Sequence, residues 1–432
     1  MAKRLTVYIL IGMALGALLG TVLHHVIADV AGRAQVADYF GIITELFLRM
    51  IKMIIAPLIF ATLVTGIAHM GDTAALGRIG FRTMLWFIGA TFVSLTLGLI
   101  LVNLLQPGVG DISLPLPPPD ATLGLERKAF DLHEFIVHLV PKSIIEAMAK
   151  NEILPIVVFA LFFGVGLTAI GDKGAPIVKG MESLVAVMLQ VTDYVMRAAP
   201  LAVFAAIAHA VTVNGLGVMM TFGKFMASFY FAMGCLWIVL IAAAIVMLGR
   251  RGATLIRYIR EPVLVAFATA SSEAAYPRTL EALDRFGVPP RIASFVLPLG
   301  YSFNLDGSMI YMTFATMFVA QLYGIEMSMG DQISMVLILM LTSKGMAGVP
   351  RASLVVISAV MGHFGIPEAG LVMILAVDHF LDMGRSATSV VGNAVATAVV
   401  SKWEGAFDPP EPPEIEPPHA PSHRAAPYPP EY

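Results

Sequence analysis

Charged residues are scarce in this chain, since Asp, Glu, Lys and Arg make up only 13% of its 432 residues. Soluble domains carry about 25% charged residues to cover their water-facing surface, so this composition argues against a soluble protein. The hydrophobic share of 58% and the long apolar runs instead predict an all-α membrane protein. A net charge of -3 supplies no basic field for nucleic acid, which is not an expected partner.

Cysteine and enzyme motifs are also lacking. Cys235 is the single cysteine and stands in an apolar run, so we interpret it as a small buried hydrophobe. The sequence contains no HExxH, GxSxG or nucleotide-binding loop, which argues against an enzyme and against an ATP-driven pump. No cleavable signal is predicted, because the N-terminal apolar run is long enough to span a bilayer.

The first 250 residues contain six candidate transmembrane helices, each with about 20 or more mostly apolar residues. They cover 5–27, 41–68, 83–105, 152–171, 183–213 and 222–248. The segment LQPGVGDISLPLPPPD after the third span is predicted to be a long external loop, because Pro and Gly interrupt helices. Cytoplasmic ends are indicated by basic residues at Lys3, Arg4, Arg78, Arg82, Arg250, Arg251, Arg257 and Arg260.

Beyond residue 250 the apolar segments are interrupted. Residues 258–290 and 332–365 each hold a Gly- or Ser-rich tip between two apolar arms, and 292–322 is broken by SFNLDGS. Free backbone groups are tolerated at membrane depth only where protein or a water-filled cavity surrounds them. Two such broken hairpins predict a transporter site built on repeated halves. The proline-rich tail 405–432 is predicted to be disordered and cytoplasmic.

The last apolar segment, 369–402, carries the strongest polar pattern. At about 100° per residue, one stripe of this helix holds Asp378, Asp382, Arg385, Ser389 and Asn393. Intramembrane ionisable residues usually face a substrate or ion pathway. A guanidinium suits a carboxylate and an aspartate suits an ammonium, so the pattern indicates a zwitterion with an extra carboxylate. The alternative is a structural ion pair.

A second pattern is Asn304-Leu305-Asp306-Gly307 within an apolar span. The break frees carbonyl oxygens and Asp306 adds an anionic oxygen, which together favour a site for an alkali cation. The alternative is a kinked helix whose Asn and Asp bond internally.

The two tips provide further candidates. Ser271 and Ser272 can hold a carboxylate at a helix terminus, although Ser followed by Glu is equally typical of a helix N-cap. Glu273 is a candidate proton carrier. The second tip, with Gly345 and Gly348, suits a lid that closes over a ligand or an ordinary turn. Glu45 and Arg49 are interpreted as an intrahelical pair.

With these motifs, the sequence resembles the glutamate/aspartate and dicarboxylate:cation symporter family. The resemblance lies in ASSEAAYP, GYSFNLDGSMIY, LTSKGMAGVP and DHFLDMGRSATSVVGNA, in the family's order, and it covers residues 5–404. It implies eight transmembrane helices, two re-entrant hairpins, a homotrimer in the inner membrane with both termini cytoplasmic, and an elevator mechanism. Residues 1–250 would be mainly scaffold and trimerisation helices, and residues 251–404 would form the transport core.

The resemblance also implies roles for individual residues. Ser272 resembles the tip serine for the substrate α-carboxylate, Arg385 the arginine for the side-chain carboxylate and Asp382 the aspartate for the α-amino group. Ser308 and Ser386 stand where the family often has threonine. The implied substrate set is Ser271, Ser272, Ser308, Gly348, Asp382, Arg385, Ser386 and Ser389, and the implied cation set is Gly300, Asn304, Asp306, Asp378 and Asn393.

Three departures from the family pattern affect the cation coupling. Asn393 stands where many sodium-coupled members have aspartate, Ser389 where many have asparagine, and Ala90 where a threonine lies near the ion path. Loss of a carboxylate removes charge from a cation site, so coupling to sodium, to protons or to both stays open, with no resident cofactor expected. Arg351 is an unexpected charge at the lid.

These features predict a secondary symporter of glutamate or aspartate. A C4-dicarboxylate symporter is the alternative, since the Glu273 and NLDG pattern is similar to that branch, whereas a dicarboxylate has no ammonium for Asp382. An anion channel built on the same hairpins is a further alternative.

Overall fold

The computed structural model describes residues 2–70, 73–109, 132–215, 222–343, 352–367, 369–375 and 377–407. Within these ranges every regular element is a helix, which confirms the all-α prediction. The predictions for the long external loop, for the second tip with Gly348 and Arg351, and for the tail from residue 408 fall outside the described residues.

The N-terminal part of the described chain forms helices, most of them long and apolar and two of them short. In chain order they are α1 (Ala2–Val26), α2 (Val30–Met70), α3 (Thr73–Leu105), α4 (Leu132–His138), α5 (Ile144–Ala149), α6 (Ile153–Ile170), α7 (Ala175–Met196), α8 (Ala199–Asn214) and α9 (Gly223–Leu248). Helix α1 packs along α8, and α2 packs on α6, α7 and α8.

The prediction of one span over 183–213 is wrong, because the chain there forms two helices. Helix α7 ends at Met196 and α8 begins at Ala199. Pro200 lies in the first turn of α8, where its missing N–H does no harm, but inside a longer helix its ring would clash with the preceding turn. A criterion based on apolar run length misses this break, since every neighbour of the proline except Arg197 is apolar.

The C-terminal part consists of shorter helices separated by breaks. They are α10 (Arg250–Thr269), α11 (Tyr276–Phe286), α12 (Pro290–Phe303), α13 (Asp306–Leu322), α14 (Met329–Thr342), α15 (Ala352–His363), α16 (Gly370–Leu375) and α17 (Asp378–Trp403). The predicted interruption of 292–322 is confirmed at Asn304 and Leu305. The arms of the 258–290 segment are α10, which begins earlier than predicted, and α11, which packs on it.

Helix α17 lies at the centre of this C-terminal part. It packs against α9, α10, α12 and α13. From Phe380 to Ser401 every residue except Asp382 is buried. The polar stripe predicted for this helix therefore faces protein along its length, as the cost of placing a charge in lipid requires.

Five helical stretches of the described chain are long and apolar enough to cross a membrane: Val7–Val26, Val30–Ala68, Leu76–Leu105, Ile153–Met196 and Gly223–Leu248. Helix α17 is not among them, because charged and hydroxyl side chains interrupt its apolar surface. The protein is thus a multi-pass membrane protein in which the helix with the charged stripe is enclosed by the others.

The end of α17 is fastened to α3 by a buried carboxylate. Glu404, whose side chain is 5% exposed, accepts hydrogen bonds from Arg78 Nε at 2.9 Å and from Arg82 Nη1 at 2.8 Å. Arg82 also donates to the carbonyl oxygen of Trp403. The ring of Trp86 meets the ring of Trp403 edge to face, at 5.8 Å between centroids. These contacts fix the position of α17 along α3.

We expect Glu404→Gln to lower the free energy of unfolding by about 1–3 kcal/mol, because two arginines lose their charged acceptor. Glu45→Gln is the control, since Glu45 pairs with Arg49 only at the surface and exposed pairs contribute about 0–1 kcal/mol. Denaturant unfolding in detergent measures both. Equal effects of the two substitutions would contradict a stabilising contact of Glu404 with Arg78 and Arg82.

Candidate functional site

The predicted charged stripe of α17 forms a compact cluster at the start of the helix. Arg385 Nη2 lies 3.2 Å from Asp378 Oδ1 and 2.9 Å from Asp382 Oδ1. The side chains of Arg385 and Asp378 are 4% and 6% exposed, whereas that of Asp382 is 41% exposed. A single guanidinium is thus shared by one enclosed and one accessible carboxylate.

Tyr311 of α13 completes this cluster and was not predicted from the sequence. Its phenol donates to Asp378 Oδ1 at 3.0 Å, and the guanidinium carbon of Arg385 lies 4.0 Å from the centroid of its ring. Aromatic faces attract cations at such distances. Tyr311 lies 67 positions from Asp378, so only the packing of α13 on α17 brings them together.

Arg385 retains binding capacity in this arrangement. Its Nε and Nη1 atoms are buried and have no hydrogen-bond partner among the described residues. Buried donors without partners cost about 1–3 kcal/mol each, and a carboxylate is the group that satisfies guanidinium donors best. A guanidinium with two unpartnered N–H-bearing nitrogens beside an accessible carboxylate can hold a ligand that carries both signs of charge.

A second cluster lies where α12 ends and α13 begins. The Asn304 amide donates to Asp306 Oδ2 at 3.0 Å and to Asn393 Oδ1 at 3.1 Å. Ser94 of α3 donates to Asp306 Oδ1 at 3.0 Å. Asn304, Asp306 and Asn393 are each at most 1% exposed. The structure therefore brings together three predicted cation-site residues and adds Ser94, which sequence reasoning missed.

Glycine makes this close approach feasible. A Cβ at Gly300 would lie on the side-chain amide of Asn393, and a Cβ at Gly392 would overlap the carboxylate of Asp306. The Asn304 Oδ1 and Asn393 Nδ2 atoms are buried without hydrogen-bond partners among the described residues. A carboxylate and an unsatisfied amide oxygen are oxygen donors of the kind that hard cations use.

The two clusters are linked through α17. The Gly307 amide donates to Ser389 Oγ at 3.3 Å, and a Cβ at Gly307 would collide with the backbone of Arg385. Of the remaining predicted substrate residues on these helices, Ser386 is buried and Ser308 is half-buried at the first turn of α13. The break in the α12–α13 segment thus adjoins the charged turn of α17.

The first tip shows side-chain capping, which was the alternative for its serines, at Ser271, whereas the Ser272 side chain makes no capping hydrogen bond. Ser271 Oγ accepts the Ala274 amide at 3.2 Å, and the Ser272 carbonyl accepts the Ala275 amide at 3.2 Å. Ala270 has a left-handed backbone with φ of 49°, and Glu273 begins a short 3₁₀ turn that ends at Ala275. Roles of Ser271, Ser272 and Glu273 in ligand or proton binding stay predictions.

Comparison with known proteins resolves the family. Residues 5–403 match the model of the sodium:dicarboxylate symporter family. The chain belongs to this family. It is 41% identical over 407 residues to a proton/glutamate-aspartate symporter of Escherichia coli (strain K12), covering 93% of each chain.

Two further relatives carry the names of two substrate classes, glutamate and C4-dicarboxylates. A proton/sodium-glutamate symport protein of Geobacillus stearothermophilus is 38% identical over 404 residues, covering 93% of this chain and 94% of the relative. A C4-dicarboxylate transport protein of Bacillus subtilis (strain 168) is 35% identical over 409 residues, covering 94% and 95%. Both named substrate classes carry two carboxylates, and the family is one of transporters.

We expect Gly392→Ala to lower the free energy of unfolding by about 1–3 kcal/mol, because the added methyl overpacks the space of the Asp306 carboxylate. Gly234→Ala is the matched control, since a Cβ at Gly234 in α9 meets no atom within 4 Å. Detergent unfolding measures both variants. A Gly392→Ala protein as stable as the Gly234→Ala protein would contradict the close approach of Gly392 to the Asp306 carboxylate.

Proposed function

We propose that this protein is a secondary symporter that imports acidic amino acids together with Na⁺, H⁺ or both. The observation that carries the proposal is the turn of α17 on which the buried Arg385 guanidinium adjoins the accessible Asp382 carboxylate at 2.9 Å. Relatives with about the same length are named glutamate symporters, and this pair of charges matches the two ends of such a substrate.

The substrate's side-chain carboxylate binds Arg385 in this proposal. Asp378 and the ring of Tyr311 hold the guanidinium from one side, while Nε and Nη1 are without partners. The substrate ammonium binds Asp382, which is exposed enough to exchange its bond with Arg385 for one with a ligand. Binding therefore replaces an internal ion pair by two charge-assisted contacts, which limits the cost of leaving buried charges unpaired.

Further contacts complete the proposed substrate site. Ser271 and Ser272 hold the α-carboxylate at the first tip, Gly348 closes the second tip, and Ser308, Ser386 and Ser389 line the space beside α17. The first-tip part of this site is supported by the helix break between α10 and α11, and the space beside α17 by the break at Asn304.

C4-dicarboxylates are the second candidate substrate, because relatives of similar identity bear that name. Succinate and malate carry two carboxylates and no ammonium, so they can use Arg385 but leave Asp382 facing an anion. The accessible carboxylate of Asp382 is the feature that favours the amino acid.

The co-transported cation binds the second cluster in this proposal. Asp306 supplies the anionic oxygen, and Asn304, Gly300 and Asn393 add neutral oxygens around it. Asp378 contacts Arg385 and Tyr311 in the first cluster, so its proposed cation role would be at a separate site. Asn393 brings no charge, and Ser94 and Asn304 both donate to Asp306. A carboxylate solvated by neutral donors can take up either a proton or a monovalent cation, and Glu273 is a second proposed proton carrier.

We also propose the assembly and movement of the chain. Residues 1–250 form mainly the scaffold and trimer contacts, and residues 251–404 form the transport core, in a homotrimer of the inner membrane with both termini cytoplasmic. Packing supports part of this division, since α1, α2, α6, α7 and α8 pack largely on each other, whereas α3 packs chiefly on α13 and α9 on α17. Helices α3 and α9 therefore join the transport core in this proposal. Eight spans, two re-entrant hairpins and an elevator movement complete the proposal, as the resemblance to the family implies.

The decisive experiment is uptake into proteoliposomes of aspartate, glutamate, succinate and a neutral amino acid, with Na⁺ and H⁺ gradients imposed separately. We expect uphill accumulation of an acidic amino acid with at least one gradient. Arg385→Ala should weaken the affinity for this substrate about 30-fold or more, because an unpaired buried charge costs about 2 kcal/mol or more. Arg49→Ala, at an exposed pair, is the control. Uptake that never exceeds equilibrium would indicate a channel.

We expect Asp382→Ser to separate the two substrate classes. Loss of the ammonium partner should weaken aspartate about tenfold, equivalent to about 1.4 kcal/mol, while succinate changes about threefold or less. Competition of each unlabelled compound against labelled substrate measures both affinities. An equal loss for aspartate and succinate would refute the amino-acid assignment and leave dicarboxylates as the substrate.

A further inference from the structure

Helix α17 presents two separate faces to its surroundings. Asp382, Arg385 and Ser389 share one face, as described above. Phe380, Gly384 and Thr388 follow each other at intervals of four residues, so they lie on a second face, roughly 130° from the first at 100° per residue. A contact that fixes the second face also sets the direction in which the first face points.

Helix α9 holds this second face by two hydrogen bonds. Trp237 Nε1 donates to Thr388 Oγ1 at 2.9 Å, and Tyr230 OH donates to the carbonyl oxygen of Phe380 at 2.5 Å. Thr388 in turn donates to the Gly384 carbonyl at 2.8 Å. The two anchors are eight residues apart on α17, and they bracket the turn that carries Asp382 and Arg385.

Gly384 lets α9 approach this turn closely. A Cβ at position 384 would lie 3.0 Å from both Met233 Sδ and Tyr230 Cε1. A side chain here would displace the end of Met233 and crowd the ring of Tyr230, so glycine allows the backbone between Asp382 and Arg385 to pack against these α9 side chains. Helix α9 therefore contacts α17 at the turn that carries Asp382 and Arg385. The position of this contact sets where both charged side chains lie.

We propose that Trp237 is a positioning residue for substrate binding, acting through Thr388 to fix the rotation of α17. The inference rests on the proposed function, because it concerns the affinity of the same Asp382 and Arg385 pair. The indole and hydroxyl have few other partners in an apolar interface, so their bond selects one rotation among those that apolar packing alone allows. Binding groups must be held within about 0.5 Å of their productive geometry.

The test removes the bond from either side. Trp237→Phe deletes the N–H and keeps an aromatic ring, and Thr388→Val deletes the hydroxyl in nearly the same volume. Each should raise the dissociation constant for L-aspartate about five- to tenfold, with a similar apparent unfolding temperature in detergent. Thr388→Ser restores the acceptor and should bind within about twofold of the unaltered protein. The double variant should lose no more than the worse single variant.

A matched control is present in the chain. Thr168 of α6 likewise donates to the carbonyl oxygen four residues before it, at 3.0 Å to Gly164, and its helix is outside the proposed substrate site, so Thr168→Val should leave the dissociation constant unchanged. Calorimetric titration with L-aspartate, and with succinate in parallel, measures all variants.

Four outcomes would overturn the inference. Unchanged affinity in both Trp237→Phe and Thr388→Val would overturn this inference and leave the proposed function in place. Additive losses in the double variant, or failure of Thr388→Ser to restore binding, would do the same. If the unaltered protein binds neither aspartate nor succinate, the proposed function fails and this inference fails with it. A Trp237→Phe protein that does not fold leaves the Thr388 pair of variants as the deciding comparison.

Discussion

The burial of one guanidinium constrains the whole C-terminal half of the protein. A charge at the centre of a membrane costs about 3 kcal/mol on insertion scales, and Arg385 is 4% exposed. It is tolerated because two carboxylates of the same helix and the face of Tyr311 surround it. Those partners require α13 to pack on α17 and require other helices to enclose both. The partial freedom of Asp382 then leaves one of the balancing charges accessible to a ligand.

Glycine and broken helices supply the space that this arrangement needs. The α12–α13 break carries Asn304 and Asp306 into contact with α17, and Gly300, Gly307 and Gly392 remove the side-chain atoms that would prevent it. The same principle acts on the second face of α17, where Gly384 admits α9. Close backbone approach on both faces makes α17 a rigid element, so that a site assembled from distant parts of the chain can keep one geometry.

Sequence patterns predicted much of the fold and part of the site. Charge spacing alone grouped Asp378, Asp382 and Arg385, because the period of an α-helix is fixed. The break at Asn304 was readable since polar residues and Gly interrupt an apolar run. The split at Arg197–Ala198 was not, because its proline stands among apolar neighbours that extend the run. Tyr311 and Ser94 escaped for another reason: each is an ordinary residue of an apolar helix whose partner lies far along the chain.

The sequence by itself determined the class of environment, the order of the helices and the face of α17 that carries charge, since these depend on composition and on local periodicity. Tertiary structure alone decided which carboxylate of the stripe stays accessible, which hydroxyl donates to Asp306, and which indole meets Thr388. Such choices depend on how helices separated by tens to hundreds of residues dock, and close packing lets a few atoms determine that docking.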